Sequence, residues 1–201
     1  MGNETKEDRI ATVKQDISEK GSISWVFEAL KNEGGRTMNE IDMKIHADIE
    51  RVGWSVISVF APDPRSVNFP FAYTIGLSLL DLPELIVTGK NPINAMRLLN
   101  AVGKLAKQRG AKFNAFDVVK AEDVPRPKAE PLNLIRPDFP VTFLEMTKEK
   151  SEVYLKNRLP SFDGEYSPAQ QVVYSDEDES FPWEIAGYSW LLDQRILGEL
   201  D

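Results

Sequence analysis

The chain has 201 residues, 42% of them hydrophobic and 28% charged, and its 24 Lys and Arg against 32 Asp and Glu leave a formal net charge of −8. This composition is typical of a globular protein of about one domain, and the lack of cysteine excludes disulfides, thiolate metal sites and cysteine nucleophiles. No apolar run reaches the roughly 18 residues of a membrane span and no apolar signal segment begins the chain, so we expect a cytoplasmic protein that does not enter a membrane.

The first forty residues predict helices that are separate from the main domain. Apolar residues at helical spacing between positions 10 and 17 indicate a first helix, which Gly21 ends. A second short helix follows and is stopped by the glycines at 34 and 35. We therefore interpret residues 1–40 as a helical extension and residues 41–201 as an α+β domain.

A third helix opens the main domain. Thr37 and Glu40 have the spacing of a capping box, in which a hydroxyl and a carboxylate satisfy free backbone N–H groups. An apolar stripe follows, formed by Ile41, Ile45, Ile49 and Val52. Gly53 occupies the position at which a left-handed residue commonly ends a helix.

After Gly53 the apolar pattern changes from helical to extended. Residues 54–60, 71–77 and 85–88 predict three strands in succession, with a proline-rich loop between the first two. Asn91 as N-cap and Pro92 at the first helical position then predict a helix that runs to about Arg109, where Gly110 ends it. The predicted apolar face of this helix consists of Ile93, Met96, Leu99, Val102 and Ala106.

The remaining third of the chain mixes loop, strand and helix. Residues 124–140 contain five of the thirteen prolines and predict a long surface loop. A strand at 141–146, a helix at 148–158, an alternating strand at 169–174 and a last helix at 188–197 follow. Strands in runs, without repeated βαβ units, favour an α+β fold around a single mixed or antiparallel sheet.

Four segments of the domain carry a family resemblance. They read GWSV at 53–56, FAYTIGL at 71–77, PELIV at 83–87 and QVVYSD at 171–176, and FPW follows at 181–183. In this order and spacing they resemble the uncharacterised bacterial and phage family called domain of unknown function 4262, over about residues 41–190. The resemblance implies no particular activity. Leu82 stands where many family members have a histidine, which favours binding over catalysis.

The only histidine offers little support for chemistry. His46 has Asp42 and Glu50 four residues to either side, and the three could share a helical face and hold a divalent metal. A solvated helix face is the favoured interpretation, because one helix supplies few preoriented ligands. Neither a GxSxG elbow nor a glycine-rich phosphate loop is present. We therefore predict no catalytic residues, no metal and no cofactor.

Polar and aromatic side chains within the family-like segments form the candidate ligand site. They are Trp54, Tyr73, Thr74, Glu84, Gln171, Asp176 and Trp183. Hydroxyl, amide and carboxylate groups among aromatic rings are what a small-molecule site requires, and they are also compatible with a carboxylate-dependent or metal-dependent enzyme. The alternative is that the aromatic residues form core and that the acidic run 176–179 is a solvated turn.

Charge is distributed unevenly along the chain. Residues 1–50, 51–110, 111–160 and 161–201 carry net charges of −4, +4, +1 and −9. The basic block includes a candidate partner-binding face on the helix that ends near Arg109, formed by Arg97, Lys104 and Lys107. Because catalytic residue types are scarce, the favoured function is a protein that binds another protein or a second copy of itself. A small-ligand site or enzyme is the alternative, and nucleic-acid binding through the basic helix is a second, less favoured one.

Overall fold

The computed structural model describes residues 40–59, 69–120, 122–124, 140–155, 168–176, 178–184 and 194–200. In chain order the elements are α1 (Glu40–Val52), β1 (Ser55–Val59), β2 (Phe71–Ile75), a 3-10 helix (Leu77–Leu80), β3 (Glu84–Thr88), α2 (Pro92–Arg109), β4 (Val141–Glu145), α3 (Lys148–Tyr154) and β5 (Ala169–Tyr174). The predicted helical extension at 1–40 lies almost wholly outside these residues, so the division into domains stays a prediction.

Three of the helix ends that local sequence signals predict are confirmed, whereas Thr37, the predicted cap of α1, lies outside the described residues. Gly53 has a φ of 106° and its N–H donates to the carbonyl of Ile49 at 2.8 Å, which closes α1. The side chain of Asn91 accepts from the N–H of Asn94 at 3.0 Å and caps α2. Gly110 ends the same helix with a φ of 63°. Each of these signals depends only on residues within one turn of the helix end.

The strands form one sheet in the order β1-β2-β3-β5-β4. β1 pairs with β2, β2 with β3 and β4 with β5 in antiparallel orientation, whereas β3 and β5 are parallel. The parallel pair places β5, the last of the described strands, between β3 and β4. The predicted α+β class with a single mixed sheet is confirmed.

Both faces of the sheet are covered. α2 lies on one face, where its buried side chains Ala95, Leu98, Leu99, Val102 and Ala106 pack against Leu85, Val87, Phe143 and Val172. α1 and residues 194–198 contribute to the cover of the other face. There the core cluster contains Ile45, Ile49, Tyr73, Ile86 and Leu197. β5 is buried along its whole length, so the predicted alternation of buried and exposed residues in this strand is wrong.

The predicted apolar face of α2 is also wrong in its first turn. Ile93 and Met96 are 58% and 45% exposed, whereas Leu99 and Val102 are buried. Each residue turns a helix by about 100°, so the nine residues from Ile93 to Val102 place these two side chains on opposite sides. The small Ala95 takes the inward position instead, which sequence analysis missed because alanine adds little to an apolar pattern.

Two further predicted elements differ from the structure. β2 ends at Ile75, and the predicted end of this strand enters the 3-10 helix at Leu77–Leu80. Residues 194–197, within the predicted last helix, are not helical; residues 188–193 of it, and most of the predicted loop 124–140, lie outside the described residues. No helix within the described ranges is both long and apolar enough to cross a membrane.

Candidate functional site

Glu84 is buried at the start of β3, and four hydrogen bonds enclose its carboxylate. Its Oε2 accepts from the hydroxyl of Thr74 at 2.6 Å. Its Oε1 accepts from the N–H of Gly76 at 2.8 Å and from the N–H and hydroxyl of Ser78 at 3.1 and 2.9 Å. Thr74 in turn accepts from the N–H of Leu85 at 2.8 Å. The structure therefore brings together two of the predicted ligand residues, Thr74 and Glu84, and joins the FAYTIGL and PELIV segments through them.

The surroundings of Glu84 govern both its charge and the turn that follows β2. Burial raises the pKa of the Glu84 carboxyl group above its ordinary value of 4.5, although the hydrogen bonds from Thr74, Ser78 and Gly76 oppose this effect. Gly76 has a φ of 115°, and a Cβ there would lie 2.9 Å from the carbonyl oxygen of Gly53. The carboxylate thus holds a tight turn against the end of α1.

Tyr73 and Gln171 lie on the same face of the sheet, with Ile86 between them. Tyr73 pairs with Ile86, and Ile86 pairs with Gln171. Two strand spacings place the backbones of Tyr73 and Gln171 about 10 Å apart. The ring of Tyr73 is buried and stacks on Phe71, with ring centroids 6.1 Å apart. This row belongs to the core under α1 and residues 194–198, which we call the C-terminal segment.

The side chain of Gln171 holds the C-terminal segment on the sheet. Its Nε2 donates to the carbonyl of Arg195 at 2.7 Å, and its Oε1 accepts from the N–H groups of Leu197 and Gly198 at 2.5 and 2.9 Å. Thr88 adds a second fastening, because its hydroxyl donates to the carbonyl of Arg195 at 2.8 Å and accepts from the N–H of that residue at 3.0 Å. Gln171 therefore acts within the chain as a backbone clamp.

Gln194 completes the attachment of this segment, and sequence analysis did not identify it. Its side-chain amide exchanges two hydrogen bonds of 3.0 Å with the backbone N–H and C=O of Tyr174. No sequence signal distinguishes Gln194 or Thr88 from surface residues, because their partners lie 20 and 107 residues away. Only the packed chain shows that they are structural.

Asp176 lies at the opposite end of the sheet from Glu84. Glu84 pairs with Ala169, and by the end of β5 the chain has advanced about 17 Å from that pair. Asp176 there accepts from the N–H groups of Asp178 and Ser180, both at 2.9 Å, and so organises an acidic turn. These two predicted carboxylates do not converge on one site.

Trp54 packs beneath α2, the helix that carries the predicted partner-binding residues. Trp54 is buried, and its indole N–H donates to the side chain of Asn100 at 2.9 Å. The ammonium group of Lys107 donates to the carbonyl of Val52 at the end of α1, at 3.2 Å. Lys104 is exposed and Arg97 is half-buried. One of the three predicted basic partner-binding residues therefore has a structural contact.

His46 is half-exposed on α1, and its Nδ1 lies 3.5 Å from a carboxylate oxygen of Glu50. In the part of the chain that the structure describes, no three histidine or acidic side chains are grouped as metal ligands. Asp42 is half-exposed on the same helix.

Trp183 differs from the other predicted ligand residues because it lies at the surface. It is 37% exposed and meets Phe116, which is 41% exposed, edge to face with ring centroids 5.6 Å apart. Val118, two residues farther along the chain, is 51% exposed. We call Phe116, Val118 and Trp183 the aromatic surface. It joins two loops that are 67 residues apart in sequence.

The aromatic surface rests on the core of the domain. The ring of Trp183 stacks on that of Phe181 at 5.4 Å, and Phe181 packs with Leu144 and Val173 of the sheet. The N–H of Phe116 donates to the carbonyl of Phe143 at 2.9 Å. The exposed rings are therefore held by packed neighbours. Sequence analysis missed Phe116 and Val118, because an aromatic or aliphatic residue in a loop carries no local sign of its exposure.

Acidic side chains flank the aromatic surface. Asp178, Glu179 and Glu184 are exposed on the turns that lead to and follow Trp183. Asp117, next to Phe116, lies 3.8 Å from the guanidinium of Arg109. The surface therefore combines exposed aromatic area with an acidic margin.

Comparison with known proteins identifies a family. A model of the family described as Domain of unknown function (DUF4262) matches residues 48–187. This range contains the five described strands, Glu84 with the residues that donate hydrogen bonds to it, and the aromatic surface. No curated protein and no solved structure matches the chain.

Proposed function

The chain belongs to the family described as Domain of unknown function (DUF4262), and we propose that the protein is a protein-binding domain whose contact site is the aromatic surface. The domain holds Phe116, Val118 and Trp183 at the surface on a buried foundation. Their partner is a peptide segment of another protein that carries lysine or arginine beside an apolar side chain.

The exposed contact between Trp183 and Phe116 carries this proposal. An exposed aromatic pair is more than a single scattered apolar side chain, and contiguous exposed apolar patches mark interaction sites. Tryptophan is among the residue types that contribute most of the binding energy at protein interfaces. Phe181 beneath Trp183 keeps the indole in place, so little side-chain entropy is lost on binding.

The charge of the partner follows from the acidic margin. Asp178, Glu179 and Glu184 are exposed and lie within five residues of Trp183 in the sequence, and the C-terminal block of the chain carries −9. Such a field attracts cationic segments and repels acidic ones. A guanidinium or ammonium group can also lie over an exposed indole ring, where the cation–π attraction adds to the ionic one.

The two alternatives predicted from sequence have less support. The polar atoms of Thr74, Glu84 and Gln171 bond to groups within the chain, so a ligand at these residues would have to displace structural hydrogen bonds. Binding of nucleic acid by α2 would depend on Arg97 and Lys104, because Lys107 is bonded to the end of α1.

Selection from a phage-displayed library of random dodecapeptides tests the proposal directly. We expect the selected peptides to be enriched in lysine or arginine next to aliphatic residues. Trp183→Ala should weaken the best of them by about 30-fold, the equivalent of a contact worth about 2 kcal/mol, when binding is measured by fluorescence anisotropy.

The control is Met96→Ala, which removes an exposed apolar side chain from α2 without touching the aromatic surface. It should leave peptide affinity unchanged. Equal affinity of the selected peptides for the wild type and for Trp183→Ala would refute the proposal. A selected consensus rich in Asp and Glu would refute the assignment of a basic partner.

A further inference from the structure

The two edges of the sheet differ in how they are protected. β4 forms one edge, and there the N–H of Val119 donates to the carbonyl of Val141, while the carbonyl of Val119 accepts from the N–H of Val141. Four of the five residues of β4 are buried. β1 forms the other edge, and four of its five residues are only half-buried. Within the described ranges β1 pairs with β2 alone.

The orientation of the free backbone groups of β1 follows from the strand register. The N–H of Gly89 donates to the carbonyl of Pro70 at 2.9 Å. Because backbone groups alternate in direction along an antiparallel strand, Ala72 and Thr74 also direct theirs toward β3. The other residues of β2 direct their backbone groups toward β1, where Ile75, Tyr73 and Phe71 pair with Ser55, Ile57 and Val59. Val56 and Ser58 consequently point their N–H and C=O groups away from the sheet.

The sequence of β1 contains none of the devices that normally protect an exposed edge. Ser55–Val59 reads SVISV, without charge, proline or glycine. Natural sheets usually place lysine, proline or a bulge at such an edge, because an uncharged edge with free backbone groups pairs readily with another strand. β-branched residues further favour the extended conformation.

We propose that β1 pairs antiparallel with β1 of a second copy of this chain, so that two five-stranded sheets join into one. The two-fold axis passes between the two Ile57 residues. Val56 of each copy exchanges two hydrogen bonds with Ser58 of the other, and the side chains of the two Ile57 residues meet across the axis. This interface is separate from the aromatic surface, which lies beyond the β4 edge and remains free at both ends of the joined sheet.

A second copy fits this edge better than an unrelated strand does. The pairing is isologous and therefore closes at two copies rather than forming a chain. No charge faces a like charge, since β1 is uncharged and Val56 lies opposite Ser58. The pairing of two five-residue strands makes a small contact, so we expect a weak dimer that dissociates on dilution.

The absence of cysteine makes a cross-linking test direct. In the proposed pairing Ile57 forms a non-hydrogen-bonded antiparallel pair with itself, with Cα atoms about 4.5 Å apart, within disulfide range. Ile57→Cys should therefore form a covalent dimer under mild oxidation, read on non-reducing gels. The matched control is Val59→Cys, on the same face of the same strand, whose two copies would lie about 14 Å apart.

We expect the Ile57→Cys protein to cross-link at least about tenfold faster than Val59→Cys, because only the former is held in register. Equal rates would overturn the proposal, since random collision treats both positions alike. Adding Ser58→Pro to the Ile57→Cys protein removes the N–H that pairs with Val56 and should reduce its rate to that of the control; an unchanged rate would also overturn the proposal. If circular dichroism shows that the proline variant is unfolded, Ser58→Lys, which places a charge on the edge, takes its place with the same expected result. Dimerisation should persist in Trp183→Ala, which separates this result from the peptide-binding test.

Discussion

Replacement of Gln171 by methionine tests whether one buried side chain fastens the C-terminal segment. Methionine keeps the length and approximate volume of glutamine but forms none of its hydrogen bonds. The variant loses the bond to the carbonyl of Arg195 and those from the N–H groups of Leu197 and Gly198. These groups lie against the face of the sheet that the segment covers.

The size of the effect follows from the groups left without partners. The carbonyl of Arg195 keeps the hydrogen bond from Thr88, so two N–H groups lose their acceptor. A buried donor without a partner costs about 1–3 kcal/mol, and we therefore expect Gln171→Met to lower the free energy of unfolding by about 2–6 kcal/mol. This is a large part of the roughly 5–15 kcal/mol that stabilises an ordinary domain. If the C-terminal segment detaches in the variant, the loss in the free energy of unfolding cannot exceed the free energy with which this segment binds to the sheet.

Urea unfolding followed by circular dichroism measures the loss, and hydrogen exchange at the amides of Leu197 and Gly198 locates it. Gln170→Met is the matched control, because Gln170 is the neighbouring residue, equally buried. Its Nε2 donates to the carbonyl of Phe113 at 2.7 Å and to a carboxylate oxygen of Glu145 at 3.1 Å, and its Oε1 has no partner among the described residues. Glu145 keeps the bond from Lys112 at 3.0 Å when Gln170 is replaced. One carbonyl thus loses its donor, and a smaller loss of about 1–3 kcal/mol is expected. If Gln171→Met costs no more than this control, or leaves amide exchange unchanged, the assignment of Gln171 as a clamp is wrong.

Two other substitutions probe the close contacts and the buried carboxylate. Gly198→Ala should destabilise the protein by at least about 1–3 kcal/mol, because the new Cβ would overlap the Cβ of Leu144; an unchanged thermal transition would contradict this packing. For Glu84, the raised pKa means that the folded state holds the proton more tightly than the unfolded state, so its contribution to stability is full below the unfolded value of 4.5 and is lost as the pH rises through the folded value. The free energy of unfolding of the wild type relative to Glu84→Gln should therefore fall as the pH rises from 4 toward neutrality in urea titrations, and a difference that grows over this range would contradict the assigned direction.

The burial of Glu84, which raises the pKa of its carboxyl group, and its four hydrogen bonds indicate a structural role in the turn after β2. The carboxylate, in the PELIV segment, accepts from Thr74 and Gly76 of the FAYTIGL segment and from Ser78 directly after it. The protein thereby uses a buried ionisable group to hold the turn after β2. A side chain that looks like a candidate ligand in the sequence can equally be the centre of a turn, and only its hydrogen-bond partners distinguish the two.

Local sequence signals were sufficient for much of the fold. Gly53, Asn91 and Gly110 mark helix ends that the structure confirms, because a cap depends on a few consecutive residues. The succession of three strands and the mixed α+β class followed from the change of apolar period at Gly53. The apolar face of α2 was misplaced at Ile93, because spacings of three residues drift around a helix and the small Ala95 was overlooked.

The sequence by itself determined where most helices and strands begin and end, since these boundaries depend on neighbours along the chain. Only the tertiary structure decided that β5 inserts beside β3, that Gln171 binds backbone groups 24 to 27 residues away, and that Phe116 meets Trp183 at the surface. Strand order, burial and the convergence of side chains depend on contacts between distant segments. Such contacts form only when the sheet packs against its helices, and no local pattern of residues specifies them.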